Sequence, residues 1–139
     1  MNKESGIPGL AGLGLVSIVL ILAGCSAVDD LAHGSAQTTY TNAAAFSKEH
    51  ADAASWLPTD AMSITLVSST RTEGVMTLAY ESATAPMGCK SVPRQSSPTM
   101  SLDTNIDVYA ISSVLLCGEW AVARDASQWL AWIPATEAD

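Results

Sequence analysis

Two short runs in which apolar and polar residues alternate do most to limit how this chain of 139 residues can fold. Residues 62–67 read Met-Ser-Ile-Thr-Leu-Val, and residues 76–80 read Met-Thr-Leu-Ala-Tyr. A period of two places the larger apolar side chains on one face of a β-strand. The segment between the runs includes residues 71–74, which are polar and end in glycine, as is typical of a turn. The pattern predicts a β-hairpin.

A second hairpin is predicted near the C-terminus. Residues 120–123 (Trp-Ala-Val-Ala) and 129–133 (Trp-Leu-Ala-Trp-Ile) flank a polar turn at 124–127. Pro134 ends the last strand, because proline cannot donate to a sheet.

The apolar stretch 108–116 precedes this hairpin. Residues 107–112, which overlap the start of this stretch, are compatible with a strand or with a short helix. Gly118 is interpreted as a β-bulge, since glycine within a strand pattern often marks one.

A helix is predicted ahead of the first hairpin. Asn42 is a suitable helix cap, and the alanine-rich residues 43–55 follow it. Pro58 stops the helix at or before Leu57. Four residues recur at helical spacing and form one thin apolar face: Phe46, His50, Ala53 and Leu57.

Residues 1–24 have the pattern of a secretory signal peptide. An apolar run extends from Ile7 to Ala23, and residues 10–22 carry no charge. The run is shorter than the roughly 20 apolar residues that a membrane-spanning helix needs. Small residues at its end are typical of a cleavage site. An uncleaved membrane anchor is the alternative.

The segment Leu22-Ala23-Gly24-Cys25 resembles the lipobox of bacterial lipoproteins. The resemblance implies that Cys25 carries a diacylglyceryl group, that the chain is cut before Cys25, and that the protein is held on the extracytoplasmic face of the cell membrane. A thiol suits this chemistry because its thiolate is nucleophilic near neutral pH, and two acyl chains anchor stably. Residues 25–41 are expected to be this lipidated cysteine and a flexible tether.

The chain has three cysteines, an odd number that needs an explanation in an exported protein. Lipidation of Cys25 leaves Cys89 and Cys117, which are expected to form a disulfide outside the cytoplasm. A metal pair or a reactive thiol is the alternative, although two thiols without a nearby histidine make a poor zinc site. Cys89 lies in residues 82–105, whose prolines, glycine, serines and threonines predict a long loop.

These elements together predict one α+β domain spanning residues 42–139. One N-terminal helix is expected to pack on an antiparallel sheet of four or five strands. The Cys89–Cys117 disulfide is expected to staple the 82–105 loop to the strand that carries Cys117.

Acidic residues outnumber basic ones by 14 to 6, for a formal net charge of -8. An acidic surface repels phosphate backbones, so nucleic acid is not expected as a partner. The expected partners are the lipid bilayer, through the anchor, and an envelope protein or a glycan. We expect a monomer.

No catalytic motif stands out downstream of Cys25, where glycine-rich phosphate loops, His-x-x-x-His pairs and Gly-x-Ser-x-Gly elbows are absent from the sequence. Residues 103–107 (Asp-Thr-Asn-Ile-Asp) resemble the start of an EF-hand loop but lack its later glycine and glutamate. We therefore assign no catalytic residue, no metal and no cofactor beyond the covalent lipid on Cys25.

Three of the four tryptophans fall within residues 120–132. Trp129 and Trp132 have opposite parity in the last strand, so they should point to opposite faces of the sheet. Core packing is one interpretation of these residues. The other is a partly exposed platform for a peptide or sugar, because tryptophan is enriched at binding hot spots. The candidate binding residues are Trp120, Trp129, Trp132, Tyr109 and Arg94.

The stretch from Trp56 to Ile133 also resembles a set of small, uncharacterised lipoproteins of actinobacteria. The matching segments are Trp56-Leu57-Pro58, Gly88-Cys89 with Val92-Pro93-Arg94, Asp107-Val108-Tyr109 and Cys117-Gly118-Glu119-Trp120. The resemblance implies a lipoprotein and no particular activity.

From these features we expect a membrane-anchored lipoprotein that serves as a non-enzymatic binding or interaction module of the cell envelope. The alternative is a small envelope enzyme that uses Lys90, Arg94 or Asp103 around the 82–105 loop. A structural or immunity-type protein is a third possibility.

Overall fold

The computed structural model describes residues 34–52 and 54–137, which form an antiparallel sheet of seven strands and one short helix. Residues 1–33, with the expected signal peptide, Cys25 and the first part of the expected tether, lie outside this range. The helix α1 spans Ala43–His50, and a single 3₁₀ turn spans Val108–Ala110. The strands are β1 (Ser35–Asn42), β2 (Met62–Ser69), β3 (Met76–Glu81), β4 (Lys90–Pro93), β5 (Ser113–Cys117), β6 (Trp120–Asp125) and β7 (Gln128–Ile133).

The sheet consists of two meanders that meet in its middle. Its strand order is β1-β2-β3-β7-β6-β5-β4, and all neighbours are antiparallel. The pairing of β3 with β7 joins the two halves and places Tyr80 opposite Trp129 and Thr77 opposite Trp132. The strands β1 and β4 are left at the two edges.

The predicted fold of one helix on a four- or five-stranded sheet is wrong, because the sequence pattern missed two strands. Residues 35–41, expected to belong to a flexible tether, form most of β1. This strand has few buried side chains, so it lacks the apolar alternation that identifies a half-buried strand. The other missed strand, β4, lies inside the predicted 82–105 loop and buries only Val92 among its four residues.

The helix begins as predicted and ends early. The Asn42 side chain accepts a hydrogen bond of 2.8 Å from the Ala45 backbone N–H, so Asn42 is the cap. The predicted helix to residue 55 is wrong, since α1 ends at His50. The chain then turns so that Trp56 enters the core, with a backbone hydrogen bond from Leu57 to the Ala54 carbonyl. Burial of this large ring outweighs the helix propensity of the alanines.

Both predicted hairpins are confirmed. The strands β2 and β3 pair across a turn in which the Ser69 hydroxyl accepts hydrogen bonds from the Arg71 and Thr72 backbone N–H groups. The strands β6 and β7 pair across residues 126–127. The predicted bulge at Gly118 is wrong, because Gly118 has φ +60 and opens a two-residue turn between β5 and β6.

Apolar residues cover both faces of the sheet. The first face packs against α1 and residues 54–61, and the second face packs against residues in the 94–112 connection. Trp129 belongs to the first cluster and Trp132 to the second, as their parity predicts. The first cluster comprises Ala43, Phe46, Ala54, Trp56, Ala61, Ile64, Leu66, Leu78, Tyr80, Cys117, Trp120, Val122, Trp129 and Ala131.

The predicted disulfide between Cys89 and Cys117 is confirmed. It links the residue that precedes β4 to the last residue of β5, next to the hydrogen bonds that pair these two strands. In the range that the structure covers, no helix has the length and apolar character that crossing a bilayer requires.

Candidate ligand groove beside Arg124

The first face of the sheet carries an open groove on the side away from the helix. The helix α1 packs on β1 and β2, whereas the surface over β4, β5 and β6 holds a depression of about 350 Å³. We call this depression the Arg124 groove. Its lining residues are Ala85, Ser91, Ser113, Val114, Leu115, Val122, Arg124 and Trp129.

Strand register explains why the β-strand residues of this lining share one face, except Val114, which packs in the second cluster. Leu115 of β5 lies opposite Ser91 of β4 on one side and Val122 of β6 on the other. Arg124 of β6 lies opposite Trp129 of β7. Directly opposed residues of antiparallel strands point to the same side of the sheet. The groove therefore has an apolar floor with hydroxyl groups and a guanidinium at its margins.

The guanidinium of Arg124 is held over the Trp129 ring. Its Cζ lies 4.9 Å from the ring centroid, a distance typical of a cation–π contact. The Arg124 Nε donates a hydrogen bond of 2.7 Å to the Ala126 carbonyl in the β6–β7 turn. This exposed cation is thus oriented before any ligand arrives, which lowers the conformational entropy lost on binding.

Trp129 is itself held in place by a hydrogen bond and by a stacked ring. Its indole Nε1 donates a hydrogen bond of 2.9 Å to the Ser82 carbonyl, and its ring stacks on that of Tyr80 at 6.1 Å between centroids. Burial, with a smaller contribution from the charge of Asp60, raises the pKa of Tyr80 far above its usual range. Tyr80 is therefore a neutral stacking partner at physiological pH.

The charge of the groove is opposite to that of the chain. Its lining holds one guanidinium and two hydroxyls without a carboxylate, although the net charge of the chain is -8. By contrast, Glu81 and Asp103 line a cleft of about 280 Å³ on the second face. The guanidinium is the only formal charge among the lining residues, so the lining itself is suited to an anion with an apolar part.

The three tryptophans are buried, so of the two interpretations core packing is confirmed and the partly exposed platform is wrong. The exposed fractions are 4% for Trp120, 2% for Trp129 and 0% for Trp132. The Trp120 ring packs against Trp56 at 5.7 Å between centroids. The Trp132 indole donates a hydrogen bond of 2.8 Å to the Ser96 hydroxyl. These rings fill the two faces of the sheet.

The other two candidate binding residues, Tyr109 and Arg94, lie together. Tyr109 is 78% exposed, and the Arg94 guanidinium carbon is 5.6 Å from its ring centroid. Arg94 also donates to the carbonyls of Ile111 (2.8 Å) and Ser96 (3.1 Å). Arg94 thus braces the two ends of the connection between β4 and β5.

The charged residues named for an enzymatic site are dispersed. Lys90 begins β4, Arg94 binds backbone carbonyls, and Asp103 lines the cleft that also contains Glu81. That cleft has two carboxylates and no basic group in its lining. Among residues 34–52 and 54–137, no three or more His, Cys, Asp or Glu side chains are placed to hold a metal ion.

A polar cluster at the end of α1 has a structural role. The Tyr40 hydroxyl donates a hydrogen bond of 2.7 Å to Glu49 and lies 3.0 Å from His50 Nε2, while the His50 ring stacks on Phe46. Burial, followed by the effect of Glu49, raises the pKa of Tyr40 to about 12, so the hydroxyl keeps its proton. The cluster ties the last turn of the helix to β1.

Sequence reasoning missed Arg124 because it assigned the residue to a turn. The sequence signal is that Arg124 and Trp129 stand equally far from the two-residue β6–β7 turn, one before it and one after it. This spacing makes them a cross-strand pair. No protein-family model, curated protein or solved structure matches this chain.

Proposed function

We propose that this protein is a lipid-anchored binding module of the bacterial cell envelope, and that its domain binds an anionic ligand in the Arg124 groove. The lipobox-like segment ending at Cys25 supports the anchor and the extracytoplasmic location. The Cys89–Cys117 disulfide supports an oxidising compartment. The ligand class follows from the groove: a carboxylate next to an apolar group, such as a partner protein presents at a C-terminus or an acidic side chain.

The observation that carries this proposal is the guanidinium of Arg124 placed 4.9 Å over Trp129 beside an open apolar floor. A guanidinium has five N–H donors in a planar fork that matches a carboxylate. The Arg124 Nε uses one of them on the Ala126 carbonyl. The Ser91 and Ser113 hydroxyls on the same lining are further donors for an anion.

The apolar floor adds affinity that a charge alone does not. The accessible apolar part of the lining is half-buried Leu115 with exposed Ala85, because Val122 and Trp129 are already buried in the free protein. Covering apolar surface contributes about 25 cal/mol per Å² removed from water. A ligand with both parts therefore binds better than either a bare anion or an uncharged apolar group.

Small matched probes test this function directly. We expect 3-phenylpropionate to shift the backbone NMR signals of Leu115, Val122 and Arg124 with a dissociation constant of about 1 mM, roughly 4 kcal/mol. The uncharged 3-phenylpropionamide should bind more weakly, and 3-phenylpropylamine should leave the signals unchanged. Equal binding of the amine would show that the groove does not select anions, and the proposal would fail.

A variant and a charge-matched control locate the effect. Arg124→Gln should weaken 3-phenylpropionate binding by about tenfold or more, because it removes the guanidinium. Lys48→Gln removes an equal charge from the exposed surface of α1 and should bind as the wild type does. If both variants lose affinity alike, binding depends on net charge and not on the groove.

A further inference from the structure

The two edges of the sheet differ in how well they are protected against pairing with another strand. At one edge, β4 has only four residues, begins with Lys90 and ends with Pro93, which has no N–H to donate. Short length, lysine and proline are the devices by which natural proteins guard sheet edges. At the other edge, β1 has eight residues, Ser-Ala-Gln-Thr-Thr-Tyr-Thr-Asn, with neither a charge nor a proline.

No described strand pairs with the outer side of β1. Its inner side pairs with β2 from Ser35 opposite Ser69 to Asn42 opposite Met62. Alternate backbone N–H and C=O groups of an edge strand point outward, so β1 presents a row of donors and acceptors.

We propose that β1 is the interface of a symmetric dimer, in which the β1 strands of two copies pair antiparallel and join their sheets. The strand is self-complementary, because its exposed residues are all neutral and polar: Gln37, Thr38, Thr39, Thr41 and Asn42. Cross-strand threonine pairs stabilise sheets through their hydroxyls. A copy of the same strand thus matches every position without a buried charge.

The acidic net charge opposes this pairing only weakly. Neither β1 nor the adjacent β2 contains a charged residue. In α1, which follows β1, Lys48 and Glu49 have opposite signs. Carboxylates elsewhere on the surface are screened beyond about 8 Å at physiological salt.

The guarded edge at β4 explains why the association stops at two copies. A two-fold contact uses the same surface on both partners and is closed once formed. Growth into a fibre needs a second free edge, and β4 is short and carries Pro93. A dimer differs from the monomer expected from the sequence, and the molecular mass in solution distinguishes the two.

The mass of the mature protein, purified from membranes in detergent, is measured by sedimentation equilibrium over a range of concentrations. The wild type should reach twice the protomer mass. Antiparallel pairing of residues 35–42 with their own copy over the full strand puts the two-fold axis between Thr38 and Thr39. Thr39→Lys then places two like charges near the axis and should raise the dimer dissociation constant by about tenfold or more. Ser55→Lys adds the same charge at an exposed position between α1 and β2 and should not. A monomeric wild type, with β1 left open or covered by residues 26–33 of the same chain, overturns the proposal.

Crosslinking provides a second readout that does not depend on weakening the interface. In Thr39→Cys the two thiols should lie close to the axis, so mild oxidation should give a covalent dimer whose peptide map links position 39 to itself. Ser55→Cys is the matched control and should remain uncrosslinked. A dimer that resists Thr39→Lys, or that does not crosslink through position 39, has its interface elsewhere and also overturns the proposal.

Discussion

Glu137 accepts two hydrogen bonds from Ser96, a residue 41 positions earlier in the chain: one of 2.7 Å from the backbone N–H and one of 2.6 Å from the hydroxyl. The Gln95 N–H donates a third, of 2.9 Å. The Ser96 hydroxyl in turn accepts the hydrogen bond from the buried Trp132 indole. The Glu137 carboxylate therefore holds the connection after β4 against the second face of the sheet.

We expect Glu137→Gln to lower the free energy of unfolding by about 1–2 kcal/mol near neutral pH, because a charged acceptor of several hydrogen bonds is lost. Chemical denaturation measures this change. Glu119→Gln removes an exposed carboxylate from the β5–β6 turn and should change stability by less than about 0.5 kcal/mol. Equal effects of the two variants would contradict a specific role for Glu137.

The contribution of Glu137 should also depend on pH. Burial alone would raise the pKa of its carboxyl, but hydrogen bonds from Ser96 and Gln95 outweigh burial and hold the pKa below the usual glutamate value. The stabilisation is therefore complete above the unfolded-state pKa of about 4.3 and is lost as pH falls through the lower folded-state pKa. The gap between wild type and Glu137→Gln should narrow in that acidic window. A gap that persists unchanged there would argue against ionisation as the cause.

Loss of the disulfide should destabilise the domain. The bond closes a loop with a sequence separation of 28, and the chain-entropy model assigns such a link roughly 3–4 kcal/mol. Replacement of Cys89 and Cys117 together by alanine should lower the midpoint of urea unfolding accordingly. Wild type measured in reductant should match the double variant. A double variant as stable as the oxidised wild type would show that β4 and β5 do not need the link.

Lipidation at Cys25 is a prediction from the sequence alone. Cys25→Ser removes the nucleophile that accepts the diacylglyceryl group, so the protein should appear in the medium or remain unprocessed. Membrane fractionation and intact mass measure the result. A variant that is cut and retained on the membrane as before would rule out this anchor.

Removal of the helix cap should have a moderate effect. Asn42→Ala deletes the acceptor for the Ala45 N–H and should cost about 1 kcal/mol of stability. Thr41→Ala, at the neighbouring exposed position, is the control and should cost less. Thermal unfolding followed by circular dichroism compares the two variants. No difference between them would mean that water replaces the cap.

The sequence predicted those elements in which the order of apolar and polar side chains matches their burial in the structure. Ile64 and Leu66 of β2 and Leu78 and Tyr80 of β3 are buried in the first cluster, as their alternation predicts. Trp129 and Trp132 fill opposite faces, as their parity predicts. The strand β1 was missed because an edge strand buries little, and β4 was missed because its four residues stand in a proline-rich segment. Their pairing depends on neighbours far away in the chain.

The candidate site was predictable only in part. Of the candidate binding residues named from the sequence, only Trp129 lines the Arg124 groove. The exposure of the tryptophans could not be derived from their hairpin, because the residues that cover them come from elsewhere. Trp56 packs on Trp120 from the segment after α1. The Arg124 groove exists because α1 packs on β1 and β2 and leaves the far half of that face open.

Local chemistry thus determined both hairpins, the Asn42 cap and the Cys89–Cys117 pairing, because each depends on periodicity, a nearby backbone group or the reactivity of a residue type. Tertiary structure decided the number of strands, the early end of α1 and the position of the groove. These depend on which surfaces compete for burial. The pairing of an edge strand and the burial of a tryptophan are stabilised by residues distant in sequence. A local sequence pattern therefore cannot predict them.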